Sequence, residues 1–176
     1  MATHLIVDGY NLIGHDGGLR GDLRMRRERL VRRLADYHRR RSHRVTVVFD
    51  GWRSGWSTER EEWIEDVLVI YSREGEPADE VIARLARAEG ASVVVVSSDR
   101  AVQSAVRAAG GVPLSCGEFT RKLSELSIEI PAPLSVAPEV WKEEEPAGRG
   151  VRTPKKGNPR RKSKEERRKE AKLKKL

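Results

Sequence analysis

Short runs of β-branched residues alternate with segments of helical spacing, and this alternation constrains the fold more than any other feature of the chain. The runs lie at residues 4–7, 45–49, 67–71, 92–96 and 112–114. The helical segments lie at residues 23–41, 77–89, 100–109 and 118–126. Buried strands that alternate with helices are typical of a parallel sheet covered by helices on both faces. The sequence therefore predicts an α/β fold.

Charge divides the chain into a folded part and a basic tail. From residue 149 onward there are 14 Lys and Arg against 3 Glu, whereas the remainder carries 21 basic against 24 acidic residues. Three prolines, Pro131, Pro133 and Pro138, interrupt the intervening segment. We expect one domain over residues 1–128, a linker at 129–148 and a disordered basic tail at 149–176, in which residues 164–176 become helical only on a partner.

The amino terminus and the single cysteine indicate a cytoplasmic protein. Residues 1–7 are too short for the apolar segment of a signal peptide, and the longest apolar run, 93–96, is far shorter than a membrane span. Cys116 is the one cysteine, which excludes an internal disulfide and agrees with a reducing compartment. We expect no membrane contact, and we expect Cys116 to be a core or loop residue rather than a nucleophile.

Acidic residues stand where the predicted strands end. Asp8 and Asp50 directly follow the first two strands, and Asp99 follows the fourth after two serines. Asp79 lies in the first turn of the helix after the third strand. Ligands of doubly wound sheets bind beyond the carboxyl ends of the strands, so all four carboxylates can meet there. The alternative for each single Asp is a helix cap or a turn former.

A cluster of carboxylates indicates a bound cation. Two carboxylates about 4 Å apart repel by roughly 4 kcal/mol at an effective dielectric constant of about 20, and a cation removes this conflict. Oxygen ligands without clustered His or Cys favour Mg²⁺ or Mn²⁺ over zinc. Such a metal supports hydrolysis of a phosphodiester. The chain contains no Walker-type loop and no Gly-x-Gly-x-x-Gly element, so nucleotide-cofactor chemistry has little support.

The motifs around these aspartates resemble a known family. They are Val-Asp-Gly-Tyr-Asn at 7–11, Val-Phe-Asp at 48–50, Arg-Glu-Gly-Glu-Pro-Ala-Asp at 73–79, and Ser98-Asp99 followed by Gln103. Over about residues 3–126 the chain is similar to the NYN domain of YacP-like proteins, within the PIN-like nuclease superfamily. The resemblance implies a three-layer α/β/α sandwich with a central first strand and a metal-dependent endoribonuclease activity. In some bacterial members it also implies a role in decay of messenger RNA on ribosomes.

The resemblance carries site residues over by position. Asp8, Asp79 and Asp99 match acidic positions that bind the metal directly or through water, and Asn11 matches an asparagine that orients the first aspartate or a substrate phosphate. Asp50 matches a less uniformly assigned acidic position, so its role is either metal binding or structural. Glu76 belongs either to the outer shell of the metal or to an exposed loop. The expected catalytic set is Asp8, Asn11, Asp79 and Asp99, and the expected metal set is Asp8, Asp50, Asp79 and Asp99.

Basic and aromatic residues predict where RNA binds. Eleven Arg and three acidic residues lie between Arg20 and Arg44, so Arg24 and Arg27 either contact phosphate or belong to a solvated helix face. Ser98 and Arg100 flank Asp99 at a helix start, where free N–H groups favour a phosphate. Trp52, Trp56 and Trp63, which follow the second strand, either stack on bases or cover the sheet or a protein partner. The tail either binds RNA, including ribosomal RNA, or keeps the chain soluble.

Two other functions use the same features. One is a catalytically silent module that binds RNA or the ribosome through the basic surfaces. The other is a metal-dependent phosphatase for small phosphoesters, which also uses aspartates at strand ends. The absence of an Asp-x-Asp pair after the first strand counts against the phosphatase.

Overall fold

Six strands and six helices make up the computed structural model, which describes residues 3–51, 57–128 and 164–175. The strands are β1 His4–Asp8, β2 Arg44–Phe49, β3 Arg60–Ile64, β4 Val67–Tyr71, β5 Val93–Val96 and β6 Val112–Leu114. The helices are α1 Gly9–His15, α2 Leu23–Arg41, α3 Ala78–Glu89, α4 Arg100–Ala108, α5 Cys116–Ile128 and α6 Lys164–Lys175.

The strands form one sheet in the order β3-β4-β2-β1-β5-β6. All neighbours are parallel except β3, which runs antiparallel to β4. The first strand is therefore central, and Leu5 stands opposite Val45 on one side and Val94 on the other. Along the chain, β2, β3 and β4 are added on one side of β1, and β5 and β6 are then added on its other side. This reversal of strand order places the crevice of the fold at the carboxyl ends of β1 and β5.

Each face of the sheet packs against helices. Leu5 and Val7 of β1 join a core with residues of α1, α2 and α5, whereas Ile6 joins a second core with residues of α3 and α4. Strands covered on both faces read as continuous apolar runs, which is why the parallel strands were predictable. Burying one such Val, Leu or Ile side chain contributes about 1.5–3 kcal/mol. The predicted three-layer α/β/α sandwich is confirmed.

The sequence patterns did not predict the strand β3 or the helix α1. The β3 strand, Arg-Glu-Glu-Trp-Ile, is mostly exposed, and Ile64 alone packs against the core. The α1 helix holds Gly9 and Gly14, and glycine disfavours a helix by about 1 kcal/mol relative to alanine. Both elements exist through tertiary contacts that their local sequences do not indicate.

The end of the chain differs from the predicted free tail. Residues Lys164–Lys175 form α6, which packs beside β6. Arg168 Nη2 donates to the Gly110 carbonyl at 2.8 Å, Lys169 Nζ lies 2.9 Å from Glu118 Oε1, and Leu173 packs against the first core. One apolar residue and two charged contacts produce no clear hydrophobic periodicity, so the sequence did not predict that α6 packs on the domain. The predicted linker at 129–148 and the tail at 149–163 lie outside the described residues.

No helix of the described ranges combines the length and the apolar character that crossing a membrane requires.

Candidate active site

Asp8 occupies the crevice between β1 and β5. It is the last residue of β1 and the cap of α1, and the residue is only 6% exposed. Its Oδ1 accepts a hydrogen bond from the Asn11 backbone N–H at 3.2 Å, and its Oδ2 accepts one from Ser97 Oγ at 2.9 Å. Two donors therefore hold the carboxylate in one orientation at the point where strand order reverses.

Burial makes the Asp8 carboxylate hard to ionise. Desolvation raises the pKa of Asp8 from its ordinary 3.8 to about 6, although the hydrogen bonds from Asn11 and Ser97 lower it. The negative charges of Asp79 and Asp99 contribute to this increase, less than desolvation does. Among the described residues, no Lys, Arg or His forms an ion pair with Asp8. Within the part of the chain that the structure describes, no cation therefore neutralises the charge of Asp8.

Asp99 and Asp79 face the same edge of the sheet. Asp99 caps α4, because its Oδ1 accepts hydrogen bonds from the N–H groups of Ala101 at 2.7 Å and Val102 at 3.2 Å. Asp79 lies in the exposed first turn of α3, and burial, Asp99 and then Asp50 raise its pKa. The four predicted carboxylates thus share one electrostatic environment, in which Asp50 acts on Asp79. Asp8 and Asp99 are also helix caps, so the alternative interpretation of these two residues is confirmed, and metal binding stays a prediction.

The donor set fits a hydrated hard cation better than a closed cage. No group of three or more His, Cys, Asp or Glu side chains within the described ranges lies close enough together to hold a metal. Mg²⁺ commonly keeps several waters and binds through one or two carboxylates, which suits separated oxygens at an open edge. The uncompensated charge of Asp8 supports the same fit. An ion at this edge would be held directly by one or two of Asp8, Asp79 and Asp99 and through water by the remainder.

Asn11 joins three elements around Asp8. Its Oδ1 accepts hydrogen bonds from the Ser98 N–H at 2.9 Å and from Cys116 Sγ at 3.1 Å. The Cys116 N–H in turn donates to Ser98 Oγ at 3.1 Å. Asn11 therefore ties α1 to the loop after β5 and to the start of α5, which makes it a residue that positions the site. Cys116 is a buried partner in this network, as a core residue is expected to be.

The network includes Ser97 and Gln103, for which no role was predicted. Ser97 is 1% exposed, and besides its bond to Asp8 its Oγ accepts a hydrogen bond from the Asp99 N–H at 3.1 Å. Gln103 Nε2 donates to the Ser97 carbonyl at 2.8 Å. A polar residue directly after a run of four valines was the one local signal that Ser97 faces the crevice.

One predicted phosphate contact needs correction. The N–H groups at the start of α4 were expected to receive a phosphate, but those of Ala101 and Val102 are bonded to Asp99 and that of Ser98 is bonded to Asn11. The carboxylate of Asp99 occupies the place that an anion would take. The side chains of Ser98 and Arg100 are exposed, and their contact with RNA stays a prediction.

Arg27 lies against the aromatic side chains beside the crevice. Its Nη1 donates to Tyr10 Oη at 2.9 Å, and its guanidinium carbon lies 5.8 Å from the centroid of the Tyr71 ring. Phe49 contacts both tyrosines, with ring centroids 5.2 Å from Tyr10 and 5.7 Å from Tyr71. Tyr10 directly follows the first residue of α1 after β1, and Tyr71 ends β4, so the Arg27 guanidinium lies at the carboxyl edge of the sheet.

The remaining described residues that were predicted to bind RNA or the metal do not belong to the hydrogen-bond network around Asp8. Arg24 is exposed and pairs with Glu28 at 3.1 Å, so it lies on a solvated part of α2. Glu76 forms ion pairs with Arg73 at 3.2 Å and Arg84 at 3.3 Å, which gives it a structural role. Trp52 and Trp56 lie outside the described residues. Trp63 is on the edge strand β3 and is 65% exposed.

Comparisons with known proteins identify the family to which the chain is similar. A family model described as a YacP-like NYN domain matches residues 5–175, which extends past the segment that carries the sequence motifs. A Bacillus subtilis (strain 168) protein described as "Uncharacterized protein YacP" is 33% identical over 134 residues, covering 72% of this chain and 78% of that protein.

Two crystal structures of Rae1 (YacP) from Bacillus subtilis are similar to the chain. A single-residue mutant of that protein has a TM-score of 0.62 and 30% identity, with 73% of this chain and 78% of that chain covered. The other structure has a TM-score of 0.54 and 29% identity, with coverage of 70% and 75%.

Proposed function

This chain belongs to the family of YacP-like NYN domain proteins, a nuclease-type family, and we propose that it is an endoribonuclease dependent on Mg²⁺ or Mn²⁺. The observation that carries the proposal is Asp8. Its carboxylate is buried at the reversal of strand order, with a pKa of about 6, and Asp79 and Asp99 add to its negative surroundings. At neutral pH a divalent cation would stabilise the ionised carboxylates of a site of this kind.

The residues around the crevice have distinct tasks in the proposed reaction. When bound, the cation polarises a phosphoryl oxygen and lowers the pKa of water at the site. Asp8 contributes as a carboxylate, and Ser97 Oγ and the Asn11 N–H fix the direction of its oxygens. Asn11 also holds the loop that bears Asp99. Arg27 contacts a phosphate of the strand in this proposal, because Tyr10 Oη and the Tyr71 ring hold its guanidinium in one position.

We propose RNA as the substrate and messenger RNA on the ribosome as one setting for cleavage. The family resemblance supports this choice, and the arginines of α2 supply the positive charge that phosphates require. The cytoplasmic location stays a prediction from the sequence.

Cleavage of single-stranded RNA in Mn²⁺ tests the proposal. Wild type, Asp8→Asn and Asp22→Asn are compared, with both new ends mapped. Asp22 is an exposed cap of α2, and asparagine caps a helix as well as aspartate, so it is a matched control. We expect cleavage by wild type and Asp22→Asn and none by Asp8→Asn. Equal cleavage by Asp8→Asn would contradict the assignment, and hydrolysis of p-nitrophenyl phosphate without RNA cleavage would indicate a phosphatase. Cleavage that requires added ribosomes would assign the ribosomal setting.

A catalytically silent RNA-binding module is the second candidate. It is favoured by one observation, namely that the described carboxylates do not form a ready group of three metal ligands. This candidate predicts salt-sensitive RNA binding that Asp8→Asn leaves unchanged, with no cleavage by any variant.

A further inference from the structure

A second cleft opens on the flank of α2 that faces α1 and α5. It encloses about 560 Å³ between α2, the loop after α1 and α5. Its walls include the three arginines Arg26, Arg29 and Arg33, the acid Asp16 and the apolar side chains of Met25 and Leu30. We name it the Arg29 cleft.

The Arg29 cleft lies within one or two helical turns of the candidate active site. The helices α1 and α5 both start at the site, where Asn11 and Cys116 are in contact at 3.1 Å. Thr120, which lines the cleft, follows Cys116 by four residues of α5, a rise of about 6 Å, and Asp16 follows Asn11 by five residues, or about 7 Å. A strand that crosses the carboxylates can therefore reach this cleft with a neighbouring nucleotide.

Two of the three arginines are held in place by the protein. Arg26 Nη1 donates to the Gly18 carbonyl at 2.6 Å, and Arg33 Nη1 pairs with Asp16 Oδ2 at 2.8 Å. Thr120 Oγ1 donates to the other oxygen of Asp16 at 2.9 Å. Both oxygens of the acid are therefore engaged, and Arg33 balances its charge. Asp16 therefore does not neutralise the positive charges of Arg26 and Arg29 in the cleft.

Arg29 is exposed, and within the described ranges no residue forms an ion pair or a hydrogen bond with its guanidinium. It lies between Arg26 and Arg33 on the same stripe of α2, so its guanidinium is available to a phosphate. Met25, which is 65% exposed, supplies an apolar surface next to these cations. A nucleotide combines a charged phosphate with a base that has an apolar face. Arginines beside an exposed apolar side chain can contact both parts.

We propose that the Arg29 cleft binds a nucleotide of the RNA strand next to the one at the carboxylates. Arg29 and Arg26 contact its phosphate, and Met25 contacts its base. The proposal rests on the proposed function for the identity of the ligand, but it concerns a different surface from the acidic edge.

RNA affinity without cleavage tests this proposal. A fluorescent single-stranded oligoribonucleotide is titrated in EDTA with wild type, Arg29→Ala and Arg32→Ala. Arg32 is the matched control, because it is an exposed arginine of the same helix that does not line the cleft. We expect Arg29→Ala to weaken binding about five- to tenfold and to reduce the salt slope by about 1, while Arg32→Ala changes the affinity less than about twofold. Equal effects of the two variants, or no binding by wild type, would overturn the proposal.

Oxidation of Met25 by hydrogen peroxide locates the bound strand. We expect RNA to slow this oxidation in wild type and much less in Arg29→Ala, as followed by mass spectrometry of the peptide. Unchanged oxidation in the presence of saturating RNA would also overturn the proposal. A chain that binds RNA in this cleft but never cleaves it contradicts the proposed function alone. A chain that cleaves RNA but responds equally to both substitutions contradicts the Arg29 cleft alone.

Discussion

Ser97 Oγ donates to Asp8 Oδ2 at 2.9 Å and accepts from the Asp99 N–H at 3.1 Å, so a single buried hydroxyl links two of the candidate metal-binding residues. The two aspartates belong to different strand ends, and no other side chain of the described residues bonds to both. Ser97 therefore fixes the relation between Asp8 and Asp99.

Ser97→Ala should impair the site and raise the pKa of Asp8. The lost hydrogen bond lowers this pKa in wild type, so the acidic limb of the activity profile should move to higher pH. Removing one buried hydrogen bond should cost about 1–2 kcal/mol of stability. A profile of kcat/KM against pH checks the first expectation and urea unfolding the second. An unchanged acidic limb with lowered stability would reduce Ser97 to a structural role.

Asp8→Asn should stabilise the metal-free protein at neutral pH. The folded pKa of Asp8 is raised from 3.8 to about 6, so the contribution of this group to stability is full below about pH 4 and is lost as the pH rises to 6. The loss amounts to about 3 kcal/mol. The variant should therefore be more stable than wild type at pH 7 by up to this amount and equal to it near pH 4. Urea unfolding in EDTA at both pH values measures the difference, and a less stable variant at pH 7 would contradict the prediction.

Mn²⁺ should raise the melting temperature of wild type at pH 7. At about 100 times its dissociation constant the ion adds about 2.7 kcal/mol, or about 5–10 °C for a chain of this size. Binding requires the carboxylate form of Asp8, so the increase should shrink as the pH falls through about 6. Differential scanning fluorimetry measures it, with Asp8→Asn as the variant that should not respond. The same increase in that variant would place the ion elsewhere.

Alanine substitutions at three glycines should have opposite effects. A Cβ at Gly9 would lie 2.2 Å from Phe49 Cε1, and one at Gly51 would lie 1.5 Å from the Ser72 carbonyl oxygen. Gly9→Ala should cost about 1–3 kcal/mol, and Gly51→Ala should cost more because the clash is with backbone. At Gly14, in α1, the nearest neighbour is 3.8 Å away, so alanine should gain up to about 1 kcal/mol. Thermal unfolding ranks the three, and a destabilising Gly14→Ala would contradict the prediction.

The sequence was sufficient for the parallel core but not for the elements at its margins. Strands buried on both faces are apolar throughout, so β1, β2, β4, β5 and β6 were predictable within a residue of their bounds. The β3 strand buries little, and α1 holds two glycines, so neither has a local signal. The strand-end aspartates were likewise predictable. The bonds that hold them, from Ser97 to Asp8 and from Ser98 to Asn11, join residues 89 and 87 positions apart, which no local pattern encodes.

The packing of α6 beside β6 has a consequence for the association of the molecule. An edge strand presents unpaired backbone groups to which another chain can add. At one end of the sheet, β3 carries the charged residues Arg60, Glu61 and Glu62, which discourage such pairing. At the other end, β6 is short, contains Pro113 and has α6 beside it, with Arg168 on the Gly110 carbonyl. A chain shortened to residue 128 would lose this cover and would be prone to edge-to-edge self-association.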